Sequence, residues 1–432
     1  MFHGVRIHWT RVPLAKVCWL IFLIALSLRV FLVLATQSYR EEYKWVEHVA
    51  VARALYHKGT FSDPFGAPTG PTAFVAPAYP FVLSLVYRLT GDGLVGEFVK
   101  RCLSSGAASA QYAMLPVLAS ASGMTPAVGV AAGLFGALFP FSFYTETTGH
   151  QENPYLALAL VLLSLMSLRL WQRQRFTLRT GLWHGFCWGV GLLLNPVLLP
   201  CLLGFSFAAF WAGPREARSR YFRYSVVMVT VALGVTAPWI IRNYIQLGGL
   251  VPLRDNYPLE FLLSNHPAAS INYRENLAVN TFAHRLHPND NPEERRRVRS
   301  MGELAYMRMR GDEAIATVRS APGRFLRMTA LRMVCFWFPI SRSAFKTVVF
   351  WVVTAAALVG MVRLARTSRL PALLFGALLI AFPLTYYPIQ IAHRYRYPMD
   401  WALLLLAAYL LVQGPVASYL SRRLGKGGVA NP

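Results

Sequence analysis

Apolar runs as long as a bilayer is thick recur along this chain, and no other feature limits its folds so tightly. Residues 14–35 and 226–241 carry almost no charge, and 402–412 with its flanks repeats the pattern. A helix needs about 20 apolar residues to cross the hydrocarbon. Inside that layer only a helix or a closed barrel satisfies every backbone group. Charged residues make up 14% of the 432, against roughly 25% in a soluble domain. The expected fold is all-α, a polytopic transmembrane bundle of about ten (ten to twelve) spans.

Ten segments read as spans: 14–36, 98–121, 126–145, 153–170, 181–195, 197–212, 224–244, 345–363, 371–389 and 398–419. Two more, 78–91 and 325–339, run to only about 21–22 Å as helices, short of a core of about 30 Å. They are expected to lie along the outer interface, with Arg88, Arg327 and Arg332 reaching headgroups. The first run is too long for the apolar core of a cleaved signal peptide and reads as a retained signal-anchor. With the short segments kept outside and the N-terminus inside, the inner loops carry sixteen Lys/Arg and one acid, Glu216. That bias sets orientation, so both termini are expected in the cytoplasm. Three regions follow: a membrane module over 1–245 that includes an outer loop at 37–97, an outer segment at 246–325, and C-terminal spans over 326–432.

The net charge of +24 would suggest nucleic acid in a soluble protein. Here the bases sit in short loops between spans, where they meet lipid headgroups instead. No nucleic-acid partner is expected. The five cysteines are scattered without a CxxC and read as small core residues. No P-loop, strand-linked GxGxxG or solenoid repeat is present.

Eighteen of the nineteen acids fall on the outer side of this topology, which suggests a site there. Glu41, Glu42 and Glu47 follow the first span directly. Glu47, Ala50 and Ala54 share a helix face, and a Gly/Pro-rich stretch at 66–80 needs partners to hold its turns. A second group, YTETTGHQENPY at 144–155, joins two spans on the same side. Glu152 there equally suits the first turn of a helix, where the macrodipole favours an acid by roughly 0.3–1 kcal/mol. Glu146 and His150 are weaker candidates. Arg29 lies within the first span, where a charge costs about 2.5–3.5 kcal/mol, and is expected to pair inside the bundle.

The order of elements resembles the GT-C membrane glycosyltransferases, in particular the bacterial branch that includes protein O-mannosyltransferases and the aminoarabinose transferase of lipid A. The resemblance rests on an acid followed by an Ala-Arg helix ending at Gly59-Thr60-Phe61, then GPTAFVAPAYP at 70–80. It continues through APWIIRNYIQLGGLVPLRDN at 237–256, GELAYMRMRGDEAI at 302–315, APGRFLRMTALRMVCFW at 321–337 and HRYRYP at 393–398. It implies a GT-C-type bundle that transfers a sugar from a polyprenyl-phosphate carrier, with inversion, at the extracytoplasmic face of the cell inner membrane. A carboxylate after the first span acts as general base in that family. By position it is Glu47, with Glu42 in reserve; Glu152 resembles an acid before the fourth span. Where the family often has Arg-Pro, this chain has Asn195-Pro196.

Arg242, Arg394 and Arg396 are the candidates for the donor phosphate, because a guanidinium fork donates two parallel hydrogen bonds to it. Arg242 could equally snorkel from a span end. Arg394 and Arg396 stand two residues apart, so only one need face the site. With no DxD and no grouped histidines, no metal site and no tightly bound cofactor are expected, although a divalent cation remains compatible with a phosphate-bearing donor. The acceptor is not legible. The competing expectation is a lipid-linked saccharide flippase or transporter without chemistry, which should show internal repeats; none is visible.

Overall fold

A computed structural model describes residues 13–40, 46–139, 142–212, 215–276 and 282–414. Each of the ten predicted spans is largely helical over its described residues, though 126–145 breaks at Phe139 and 371–389 leaves the α-helix at Phe382, and no strand occurs among the described residues. In chain order the helices are α1 (Leu14–Thr36), α2 (Glu47–Lys58), α3 (Ala78–Thr90), α4 (Leu94–Ala113), α5 (Leu115–Ala121), α6 (Pro126–Leu138) and α7 (Phe143–Thr147). There follow α8 (Glu152–Gln172), α9 (Leu178–Leu194), α10 (Leu198–Ala212), α11 (Arg218–Leu247), α12 (Tyr257–Asn265), α13 (Tyr273–Asn276) and α14 (Phe282–Leu286). The last are α15 (Pro292–Met301), α16 (Glu303–Ser320), α17 (Pro322–Trp337), α18 (Ala344–Thr367), α19 (Arg369–Ala381) and α20 (His393–Gln413). By length and composition α1, α8, α11 and α18 each suffice to cross a membrane, and α6, α10 and α19 are shorter apolar helices.

Local chemistry explains the breaks. Pro116 sits in the first turn of α5, dividing one apolar run into α4 and α5. Asn195 ends α9, and its side-chain oxygen takes the Val197 amide at 3.1 Å before α10 begins. The small-residue ladder on α9 packs helices: a Cβ at Gly185 would fall 2.5 Å from the Met228 carbonyl of α11. All five cysteines are free.

The bundle has two chemically distinct ends. At one, Gln172 donates to the Ala121 carbonyl at 2.5 Å, Thr125 N to Gln413 Oε1 at 3.0 Å, and Arg369 to the Trp211 carbonyl at 3.1 Å. The described basic loops at 171–180 and 363–369 lie here. At the other end α1 and α11 finish and α8 and α20 start, and the segment 246–276 with α14–α17 packs over them. It is tied down by the pairing of Tyr273 N with Ile391 O at 3.0 Å and Ile391 N with Ile271 O at 2.9 Å.

Arg29 finds its partner in Glu146. Its Nε donates to Glu146 Oε2 at 2.8 Å, its Nη1 to the Ala25 and Ala137 carbonyls, both at 3.0 Å, and its Nη2 to the Gly136 carbonyl at 3.2 Å. Tyr112 and Tyr397 hydroxyls each donate to Glu146 Oε1 at 3.0 Å. Both side chains are fully buried. One expectation is corrected: Arg332 does not reach for headgroups. It is buried, donating to Asn265 Oδ1 at 3.0 Å and the Pro388 carbonyl at 2.9 Å, and also to the Ser264 carbonyl. The Ser264 carbonyl lies in the last turn of α12, where carbonyls lack intrahelical donors. Arg88 and Arg327 are exposed.

Candidate active site

Four chain segments meet at the acidic end of the bundle and place charge in one spot. Glu47 opens α2, whose Val49, Val51, Ala52, Ala54 and Leu55 are buried and whose C-terminus stops at Gly59 in the left-handed region, φ 69°. The helix is therefore locked on its apolar side while Glu47 stays 22% exposed. Asn289 Nδ2 donates to Glu47 Oε1 at 2.7 Å, and His287 Nε2 lies 4.0 Å from the same oxygen. Burial raises the Glu47 pKa; the Asn289 hydrogen bond and the charges of Arg394 and Arg254 oppose that rise.

Glu152 opens α8 and is 16% exposed, with His150 Nδ1 3.9 Å away. Asn153 donates to its Oε1 at 3.1 Å, while its Oε2 has no hydrogen-bond partner among the described residues. His150 takes φ 53°, the left-handed region, which a residue with a Cβ enters at a cost of order 1–3 kcal/mol. Its carbonyl is held by the Asn153 side chain at 2.9 Å. The His150 ring stands against Arg394, whose Nη1 donates to it, nearer to Nε2 and 2.8 Å from Nδ1.

Arg394 comes from the first turn of α20. Its guanidinium lies 4.5 Å over the Tyr273 ring and 5.2 Å over that of Tyr395, so its plane is fixed by stacking. Arg254, from the loop after α11, bears electrostatically on Glu47, His48 and Glu152 as Arg394 does. Its Nε makes no hydrogen bond among the described residues. Burial first, then these two arginines, pushes the His48 imidazole down to about 3. His150 is likewise pushed well below its ordinary value by burial and by Arg394. Both histidines are therefore neutral at pH 7. The group is two carboxyls and two guanidiniums, lined by neutral rings.

Glu47, Glu152 and Arg394 thus come together, and Arg242 and Arg396 do not join them. Arg242 donates to the Thr72 carbonyl at 2.6 Å, the Phe61 carbonyl at 2.7 Å and Asn243 Oδ1 at 3.1 Å. Its fork staples the loop after α2 to α11 instead of awaiting a phosphate. Arg396 pairs with Asp400 at 2.7 Å and donates to the Trp337 carbonyl at 2.9 Å, on another face of α20. Residues two apart on a helix point about 200° apart, so α20 offers the site one arginine. Glu42 lies outside the described residues. Arg254 was missed: it stands inside the segment at 237–256 but in a loop, where no periodicity marks a residue's direction.

The loop at 61–77 is held by a buried acid pair. Glu303 accepts from the Thr72 hydroxyl at 2.5 Å and the Ala73 amide at 2.6 Å, and Asp255 N donates to the Ala73 carbonyl at 3.0 Å. The carboxyls of Asp255 and Glu303 face each other, and burial raises both. Among the described residues no group of three or more His, Cys, Asp or Glu is arranged to hold a metal.

No family model and no curated protein matches the chain. Solved structures do. The apo crystal structure of the Archaeoglobus fulgidus oligosaccharyltransferase aligns over 98% of this chain and 53% of its own, with 14% identity and a TM-score of 0.56. The archaeal oligosaccharyltransferase AglB from the same organism, in complex with an inhibitory peptide and a dolichol-phosphate, covers the same shares at 14% identity and a TM-score of 0.55. A third structure, tethered to an acceptor peptide containing the NVT sequon, aligns over 95% of this chain and 50% of its own, at 14% identity and a TM-score of 0.55. The chain spans about half the length of these proteins. At this identity the likeness is one of architecture: the chain shares the fold of these oligosaccharyltransferase structures over about half of their length.

Proposed function

We propose that the protein is a membrane glycosyltransferase that moves a sugar from a polyprenyl-phosphate-linked donor to an acceptor hydroxyl, with inversion. One observation carries the reading: Glu47 and Glu152, both largely buried, share a site with Arg394 and Arg254 at one end of a GT-C bundle. The bound dolichol-phosphate in one of the structures with this fold supports a lipid-phosphate donor here. Arg394 and Arg254 hold the phosphate oxygens, and Glu47 faces the acceptor. The hydroxyl oxygen attacks the anomeric carbon and its proton passes to Glu47. The bond from that carbon to the phosphate oxygen breaks, and the polyprenyl phosphate leaves against the two arginines. Burial raises the Glu47 pKa, which makes its carboxylate a stronger base at neutral pH.

The acidic end faces away from the cytoplasm in this reading, because the basic loops collect at the other. Impermeant labelling in sealed cells should modify a cysteine at Ser300 and spare one at Gln174; the reverse pattern inverts the protein. Arg394→Lys keeps the charge and loses the planar fork. Losing a charge-assisted hydrogen bond should weaken donor binding by about tenfold or more. Unchanged donor affinity in Arg394→Lys removes the clamp.

A further inference from the structure

Beside the acid–arginine site, on the solvent-facing side of α2, lies a groove of about 580 Å³, within the range of about 300–1,000 Å³ that holds small ligands. Its walls are α2, the loop at 63–68 and α15, and its charged lining is Arg53, His57, Lys58, Asp63 and Arg295. The groove abuts Glu47 in two ways. Ala50 and Ala54 line it, one and two turns along the helix face that begins with Glu47. The carbonyl of Asn289, which holds the Glu47 carboxyl through its side chain, accepts from Arg295 Nη1 at 2.8 Å, and Arg295 lines the groove. Phe65 of its floor backs onto His287, ring centroids 6.2 Å apart, and His287 neighbours Glu47.

The charge in this groove is one-sided. Asp63 is its single acid, and that carboxylate is already engaged. It takes Lys58 Nζ at 2.7 Å and the Thr69 and Gly70 amides at 2.9 Å each, in a turn where Asp63 itself sits at φ 60°. Arg295 has carbonyl partners, those of Pro288 and Asn289, both at 2.8 Å. Arg53 makes only long ion pairs, 3.9 Å to Asp92 and 3.8 Å to Glu97, and its side chain is 24% exposed. The groove is thus lined by two guanidiniums and Lys58 against one acid, Asp63, whose carboxylate is already taken by Lys58 and two amides.

We infer that this groove is the acceptor subsite of the proposed transferase, and that the acceptor carries an anionic group, a phosphate or a carboxylate, seated between Arg53 and Arg295. The assignment rests on Glu47 as the base; it adds the chemical class of the acceptor. An anion there leaves the acceptor's hydroxyl at the Glu47 end of α2, and the donor phosphate on the far side with Arg394.

The test is a titration of the purified full chain in phosphatidylcholine nanodiscs with glucose 6-phosphate and, separately, with glucose. The phosphorylated sugar should bind at least about tenfold more tightly, as expected for charge-assisted contacts. The preference should disappear in Arg53→Gln, persist in Arg53→Lys, and persist in Glu47→Gln. Repeating the titration in nanodiscs containing phosphatidylglycerol separates the sources of the anion. Competition by that lipid identifies the acceptor as a headgroup-bearing one, and unchanged binding identifies one presented from water. Equal binding of the two sugars, or a preference indifferent to Arg53→Gln in a variant that folds as wild type, overturns the assignment. Because binding needs no turnover, that failure is distinct from a failure of Glu47, which is read from transfer rates alone.

Discussion

Glu47→Gln should lower transfer by about 10²–10⁴-fold, the usual contribution of a positioned general base, while carrier binding and thermal stability stay near wild type. The substitution keeps the side chain's size and its ability to accept from Asn289, and removes only the carboxylate that takes the proton. The effect belongs in kcat more than in KM, since the base acts in the transition state. Glu152→Gln is the informative control. Glu152 shares the field of Arg394 and Arg254, so a loss confined to Glu152→Gln would move the base across the site to the start of α8.

The second large effect is on stability. Arg29→Met should destabilise the protein by about 3–5 kcal/mol, the cost of leaving one member of a buried ion pair alone. Glu146 would keep its two tyrosine donors and lose its countercharge inside the bundle. Thermal unfolding in detergent reads the loss. The double variant Arg29→Met/Glu146→Gln should recover much of it, because both charges then disappear together. A single variant as stable as wild type would mean that the pair contributes nothing. The pair also touches function: Glu146 fixes α7, and the chain leaving α7 carries His150 and Glu152 to Arg394 within six residues.

The helices were legible because membrane crossing leaves so few options: the long apolar runs became helix and Asn195-Pro196 separates two of them, whereas the run at 98–121, expected as one span, is divided before Pro116. Glu47 and Glu152 stood out through the GT-C resemblance, by their positions after the first span and before the fourth. Rotation about a helix axis was harder to read. Arg394 and Arg396 look alike in the sequence, yet Arg396 is drawn to Asp400, four residues on, and leaves Arg394 facing Tyr273 and His150. Arg242 has the chemistry of a phosphate ligand, but the carbonyls of Phe61 and Thr72 in the loop after α2 claim it. Loops hid the rest: Arg254, Asn289 and Asp255 meet the site only through tertiary packing between segments far apart in the chain.

Purified protein incubated with a panel of polyprenyl-phosphate sugars, scored for carrier-dependent sugar transfer, addresses the central claim directly. At least one donor should be consumed with release of the polyprenyl phosphate and inversion at the anomeric carbon, and Glu47→Gln should abolish the release. Carriers that bind through Arg394 and are returned intact, with or without acceptors, would contradict the account and leave a protein that handles lipid-linked saccharides without chemistry.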